Sequence, residues 1–453
     1  MSFPSPCEDG PETPLRVLLL SLNIGRPKDP PTPLGAAYLY AWLVAGPARG
    51  EGLQVELLDH NASDDLETIA REILSVNPDI IGIGVYVWNA EPVNKVTGLM
   101  RSLGYEGKIV LGGPQITFGG PALPQEFPFA DYLVKGEGEV ALETIVRAVL
   151  KGEEPRGWGI YSRDFSGTSR NPPDWVPVDP YTLPGLFPHL VKEGFARIQY
   201  QRGCPHGCSF CAFPFPDHLF REMDIVSLEG QLMALRKEGT RSVAVLDPVF
   251  FHDKRRALQM LDTFQRVAPD IRFELQTRVE DLDDVVIGKL ATVSVLVEIG
   301  IQTMDPIVQR EVRRGNSRCK VERTLLLLQN LGVKFEVHLI FGLPYQTLSS
   351  FQSDLDSLLA YRPFRIRVFP LNLHRGTRLA EDVRGKYSGM MAFSSNFPME
   401  VTMTAWMSQE EVVILKRMHG LLESGLGEVG TEGGARGLYE RCRKAESEPD
   451  GRD

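Results

Sequence analysis

The chain reads as an α/β protein of two successive units, a doubly wound, Rossmann-like parallel sheet followed by a second series of six βα repeats. Three observations predict this. Apolar, strand-like runs alternate with helical stretches from residue 15 to residue 151. The alternation breaks over residues 156–194, where Pro, Asp and Ser crowd the chain, and restarts at Phe195. The restart brings three cysteines at once, Cys204, Cys208 and Cys211, in the loop after its first strand. Strand and helix alternating at this interval argue for parallel sheets with crossover helices.

In the first unit, residues 15–22 are almost continuously apolar, the pattern of a buried parallel strand. Further strands are expected at 54–58, 80–87, 108–111 and 132–134, separated by helices at 34–44, 65–75, 90–103 and 140–151. Ligands of such sheets bind at the carboxyl ends of the strands. Leu111-Gly112-Gly113-Pro114-Gln115 follows one strand end, where paired glycines let a backbone approach a bulky ligand. Lys135-Gly136-Glu137-Gly138-Glu139 follows the next. By themselves these loops also suit a flavodoxin-like domain without a ligand.

The prolines of 156–194 disfavour regular elements and suit an extended linker. In the second unit, strands are expected at 196–201, 242–246, 272–276, 293–299, 334–341 and 365–371. The helices between them fall at 227–237, 254–267, 282–290, 306–313, 320–331 and 347–361. A last helix is expected at 408–422, opened by a Ser408–Glu411 capping box. The expected division is a disordered tail to residue 13, units at 14–155 and 195–379 joined by the linker, a substrate-side region at 380–427, and a Gly- and charge-rich disordered tail at 428–453.

With 453 residues, 43% hydrophobic and 24% charged, the composition is that of an ordinary globular protein. The net charge of −10 argues against a broad nucleic-acid footprint, and no apolar run approaches the about 20 residues of a membrane span. The polar, Pro-rich start does not read as a secretory leader. Six cysteines, three of them in one loop, make no disulfide framework and fit a reducing cytoplasm.

Thiolates are soft ligands suited to zinc or iron–sulfur clusters, and Gly203, Pro205 and Gly207 supply the turns that aim three sulfurs at one centre. A Cys3His zinc site with His206 is one reading. The spacing C-x3-C-x2-C, with Phe210 before the last cysteine, resembles the radical S-adenosylmethionine (SAM) superfamily. The Gly112-Gly113 and Gly136-Glu137 loops, with Pro33-Leu34-Gly35, resemble the cobalamin-binding domain that precedes the radical SAM core in a large subfamily.

The resemblance covers residues 14–375 and implies a partial (β/α)6 TIM-type barrel, a [4Fe–4S] cluster on the three cysteines, SAM and cobalamin. It implies SAM contacts by Phe210 and by strand ends carrying Asp247, Arg278, Glu298 and Gln302, with the Gly342–Pro344 turn packing on adenine. Many relatives carry glutamate where Gln302 stands. Cobalamin contacts are implied for Tyr86, Trp88, Asn89, Gly112, Gly113, Gln115, Gly136 and Glu137. Other cobalamin proteins place a cobalt-ligating histidine after the first strand; here that loop has none, and His60 lacks the accompanying glycine spacing. The cobalt is therefore expected to lack a histidine ligand.

The implied reaction is reductive cleavage of SAM, hydrogen abstraction by a 5′-deoxyadenosyl radical, and transfer of a methyl group from methylcobalamin to an unactivated carbon of a small natural-product intermediate. A small-molecule substrate and an electron donor such as flavodoxin or ferredoxin are the expected partners, with no nucleic acid and no membrane. Cobalamin-assisted cyclisation or rearrangement, a vestigial first domain, and a non-catalytic zinc or cobalamin binder stay open.

Overall fold

The computed structural model describes residues 14–25, 30–46, 52–164, 166–167, 176–213, 220–395, 397–423 and 434–444. It divides into two compact units, residues 1–25 with 33–190, and residues 26–32 with 191–453.

The first unit is built on β1 (Leu15–Asn23), β2 (Leu53–Asn61), β3 (Ile80–Gly84), β4 (Lys108–Gly112), β5 (Tyr132–Val134) and β6 (Ile160–Ser162). The strand order β2-β1-β3-β4-β5-β6 reverses at β1, and all pairs are parallel except β5 with β6. The unbroken apolar run of β1 is explained by this position: Val17, Leu18, Leu19 and Leu20 are all at most 1% exposed because helices cover both faces. Helices Leu34–Ala45 and Gly138–Leu150 share one face, where Leu43, Leu142, Ile145 and Val146 pack on Val17, Leu19 and Ile80. Asp65 starts the helix Leu66–Val76 by accepting from the Thr68 N–H.

In the second unit, β7 (Phe195–Ile198) leads to a small hairpin of β8 (Gln201–Arg202) and β9 (Arg221–Glu222). Then come β10 (Ser242–Val245), β11 (Arg272–Thr277), β12 (Val295–Gln302), β13 (Phe335–Phe341) and β14 (Arg365–Pro370). Their order, β14-β13-β12-β11-β10-β7, is monotonic and every pair is parallel. That is the open sheet of a partial (β/α)6 barrel. Alternation follows the pleat: Val297, Ile299 and Ile301 of β12 are buried, while Glu298, Gly300 and Gln302 point to the other face and are half-buried. β15 (Met391–Phe393) and β16 (Val401–Thr404) form an antiparallel pair attached by the Val401 N–H to the Leu371 carbonyl at 2.8 Å.

Three expectations are corrected. The stretch 156–194 is not free of regular structure: it supplies β6, 3-10 turns at Pro180–Thr182 and Pro184–Leu186, and the short helix Phe187–Leu190. Pro180 and Pro184 stand at the first positions of those turns, where no N–H is needed. The third strand stops at Gly84 rather than continuing to residue 87, because the Asn89 side chain draws residues 86–89 into a turn. The region 428–453 contains the helix Gly434–Lys444, whose Ala435, Leu438, Tyr439 and Cys442 are buried. Their i, i+3, i+4, i+7 spacing is the signal that the charge-rich composition concealed. The expectation for residues 1–13 lies outside the described residues.

Candidate active site

In the second unit the cysteine loop leaves the carboxyl end of β7, where catalytic groups of such barrels sit. Asp247, just past β10, fixes its start: Oδ1 accepts from the N–H groups of Tyr200 at 2.6 Å and Gln201 at 2.8 Å. The carboxyl is fully buried, and burial pushes its pKa up to about 6 against those two bonds. Asp247 therefore acts on the protein backbone, and its side chain shapes the loop. The folded state keeps this proton up to about pH 6, whereas an unfolded Asp releases it near 3.9. Stability at this site therefore falls as pH rises between those values. Asp247→Asn, which keeps an acceptor, is expected to flatten that slope in urea unfolding at several pH values. Asp247→Ala strands two amides and is expected to cost about 1–3 kcal/mol; equal stability of the two variants would refute the assignment.

The loop turns at Gly203 (φ 78°) and places Cys204 and Cys208 in buried positions and Cys211 in a half-buried one, all three free thiols. Burial pushes the Cys204 thiol up and the Cys211 thiol up to about 12, so thiolates here need the positive charge of a metal centre. The Phe213 N–H points at the Cys211 sulfur at 3.5 Å. Arg278, 8% exposed at the end of β11, donates to the Gly315 carbonyl at 3.2 Å and lies 3.3 Å from Glu280.

Two residues that the sequence reading missed complete this surface. Arg314, 8% exposed, donates to the Cys208 sulfur at 3.6 Å and to the Gly300 carbonyl, while its Nε is buried with no hydrogen-bond partner. Asn316 donates to the Ile301 carbonyl at 2.7 Å. Both follow the helix Pro306–Glu311 rather than a strand, so a search of strand ends passes them by. The only available signal was the polar run Arg313-Arg314-Gly315-Asn316.

Gln302 closes β12 at a bulge, with φ 69° and a buried Oε1 that has no hydrogen-bond partner. The Gly342 turn follows β13 with φ 83°, and a Cβ there would lie 2.7 Å from the Val401 side chain. Glu298 lies apart from these. It is four residues before Gln302 on the same face, about 13 Å along the strand, with an acceptor atom within 4.8 Å of atoms of Glu336 and His338. Glu336, 1% exposed, lies 2.7 Å from His338 and 3.6 and 3.8 Å from Arg365 and Arg367. With Arg365 and Arg367 against the two carboxylates, this is a charge-balanced layer below the strand ends.

The first unit offers a separate surface at the carboxyl ends of β1, β3 and β4, beside the reversal of strand order. Asn89, 1% exposed, donates to the Leu22 carbonyl at 2.9 Å and the Gly84 carbonyl at 3.0 Å and accepts from the Tyr86 N–H. It thereby positions Tyr86 and Trp88, which stack with centroids 4.6 Å apart and planes 8° from parallel, Trp88 remaining 37% exposed. Gly113 has φ 88°, and a Cβ would meet the Val85 carbonyl oxygen at 2.8 Å. A Cβ on Gly112 would stay 3.7 Å from Val134. The Gln115 Oε1 is buried without a hydrogen-bond partner. Gly136 (φ 92°) is required by internal packing, because the Trp158 ring would lie 2.1 Å from its Cβ; Glu137 begins the helix Gly138–Leu150. His60 has its nitrogens 3.0 Å from Glu72 and 3.7 Å from Asp64, turned to carboxylates.

Residues 198–358 match the model of the radical SAM superfamily, and residues 30–146 match that of the B12 binding domain. The chain belongs to the cobalamin-binding radical SAM family. Its cofactors are accordingly a [4Fe–4S] cluster, SAM and cobalamin, and it is an enzyme. The donor sets fit: three thiols on one loop for the cluster, and a glycine cradle with an orphaned Gln115 oxygen for cobalamin.

An uncharacterized methyltransferase of Pyrococcus horikoshii is 25% identical over 71% of this chain and 72% of its own length. The cobalamin-dependent radical SAM methyltransferase TokK of Streptomyces tokunonensis is 24% identical over 66% of this chain, which spans 47% of that protein. The structure of the radical SAM methyltransferase TsrM of Kitasatospora setae, with cobalamin and a [4Fe–4S] cluster bound, shares the fold at a TM-score of 0.69 and 20% identity, covering 84% of this chain and 81% of that one. No helix among the described residues is long and apolar enough to cross a membrane.

Proposed function

We propose that this cobalamin-binding radical SAM enzyme methylates an unactivated carbon of a small natural-product intermediate. The observation that carries the reading is the presence, on one chain, of the Cys204–Cys208–Cys211 loop at a barrel strand end and of the glycine cradle at the carboxyl ends of the first sheet. Several relatives bear methyltransferase names, which favours methyl transfer over cyclisation. With the cofactors bound, they supply one-electron cleavage of SAM and a transferable methyl group.

The chain's own groups do the rest. Arg314 and Arg278 set positive charge beside the cysteine loop, where burial and these cations together push the His206 pKa down to about 4 and keep it neutral. The Gln302 oxygen and the Arg314 Nε are a buried acceptor and donor that a bound SAM would satisfy. Tyr86 and Trp88 would offer their stacked aromatic face to the corrin.

Arg278→Ala is expected to weaken SAM binding by about 1.5–3 kcal/mol, the loss of a charge-assisted hydrogen bond. Equilibrium dialysis with the cluster intact measures this, and unchanged affinity would make Arg278 structural. The reaction itself is tested with SAM carrying a deuterated methyl group and cell extract as substrate source. A labelled product formed together with 5′-deoxyadenosine and S-adenosylhomocysteine is expected. Deoxyadenosine without homocysteine would overturn methylation in favour of rearrangement.

A further inference from the structure

Two segments that hold the cysteine loop carry more cations than anions, on a chain whose net charge is −10. Ser209 is clamped there from two directions. Its N–H donates to the Val312 carbonyl at 3.0 Å, and its carbonyl accepts from the Leu379 N–H at 2.8 Å. The clamping segments bring exposed cations: Arg310 and Arg313 beside Val312, and Arg378, Arg384 and Lys386 around and after Leu379.

Lys386 and Tyr387 both bond to Glu311 and so tie the two segments together. The carboxylates of these segments are this Glu311, Asp382 at 3.7 Å from Arg378, and Glu381. Five cations against three anions leave an excess of two positive charges. The guanidiniums of Arg313 and Arg384 have no hydrogen-bond or ion-pair partner among the described residues. Beside Lys386, whose ammonium lies 5.9 Å from its ring, Tyr345, 38% exposed, packs on Trp406 with centroids 4.5 Å apart. Exposed aromatics and arginines are enriched in protein interfaces, and a local charge opposite to the net charge selects an oppositely charged partner.

We propose that this face docks a small acidic one-electron carrier protein of the flavodoxin class, which delivers its electron to the cluster on the Cys204–Cys208–Cys211 loop. The inference rests on the cluster reading above. In the complex the reduced carrier loses one electron and the cluster gains it, with no bond made or broken between the proteins. Arg313 and Arg384 steer the approach, and Tyr345 with Trp406 forms the apolar contact beside the cations.

The test titrates the holoenzyme with an oxidised bacterial flavodoxin by calorimetry, at about 50 and about 300 mM salt. Binding at low salt that weakens at high salt is expected. The double variant Arg313→Glu, Arg384→Glu is expected to lose about tenfold or more in affinity. The control Arg71→Glu, Lys95→Glu, on exposed positions of the first unit, is expected to bind as the parent does. Equal affinity of the double variant and the parent, an equal loss in the control, or no binding by the parent at low salt would overturn the proposal. SAM cleavage driven by dithionite keeps the two readings apart. It is expected to be unchanged in the double variant while flavodoxin-driven cleavage falls. Its absence from the parent would sink the cluster reading, whereas its loss only in the double variant would show damage to the loop and overturn the docking face.

Discussion

Replacing Cys204, Cys208 and Cys211 together with alanine is expected to remove essentially all bound iron, the broad absorption near 400 nm, and every trace of SAM cleavage. The three sulfurs share one loop whose entry is fixed by Asp247 and whose middle is clamped at Ser209. That scaffold does not depend on the thiols, so the variant should keep its far-ultraviolet circular dichroism. Cobalamin content should also stay, because the glycine cradle lies in the other unit. Anaerobic reconstitution followed by iron and sulfide assay reads the result. A full complement of iron in the triple variant would end the assignment of these cysteines.

The second large effect is expected from Gly113→Val. Its φ of 88° with ψ near 180° is a conformation that side-chain-bearing residues essentially do not adopt, and a Cβ would press on the Val85 backbone oxygen and nitrogen at 2.8 and 2.9 Å. Strain of this kind costs about 1–3 kcal/mol before any collision is counted. Relief must come by moving either Val85, and with it the Tyr86–Trp88 face, or the start of Pro114–Thr117. Corrinoid absorbance of the purified protein should fall at least about tenfold, with iron content unchanged. Full cobalamin loading would show that the cradle is not where the corrin lies.

Much of this was legible in the sequence, for physical reasons. The near-continuous apolar run at Val17–Leu20 has few explanations other than a strand covered on both faces, and β1 is that strand. The cysteine spacing is covalent information that no packing alters. What escaped was long-range. Nothing near Arg314 in the chain reveals that its guanidinium reaches a sulfur 106 residues away. Asp247 lies at its expected strand end, but its side chain serves Tyr200 and Gln201, which spacing alone does not disclose. Asn89 likewise turns inward to Leu22, a partner from another strand. Gly136 reads from the sequence as a ligand-facing glycine, yet the need for a bare Cα there comes from an indole 22 residues later.

That indole gives the order of synthesis a meaning. Trp158 and β6 are made after the five parallel strands of the first unit and the helices between them, yet Trp158 covers the Gly136 loop and β6 pairs along the free side of β5. Until the ribosome has passed them, the nascent unit carries an open strand edge, the feature through which partly made domains stick to one another. A fragment ending at residue 155 would be halted at that stage and is expected to self-associate. The stretch that composition marks as a mere connector thus supplies the strand that covers β5.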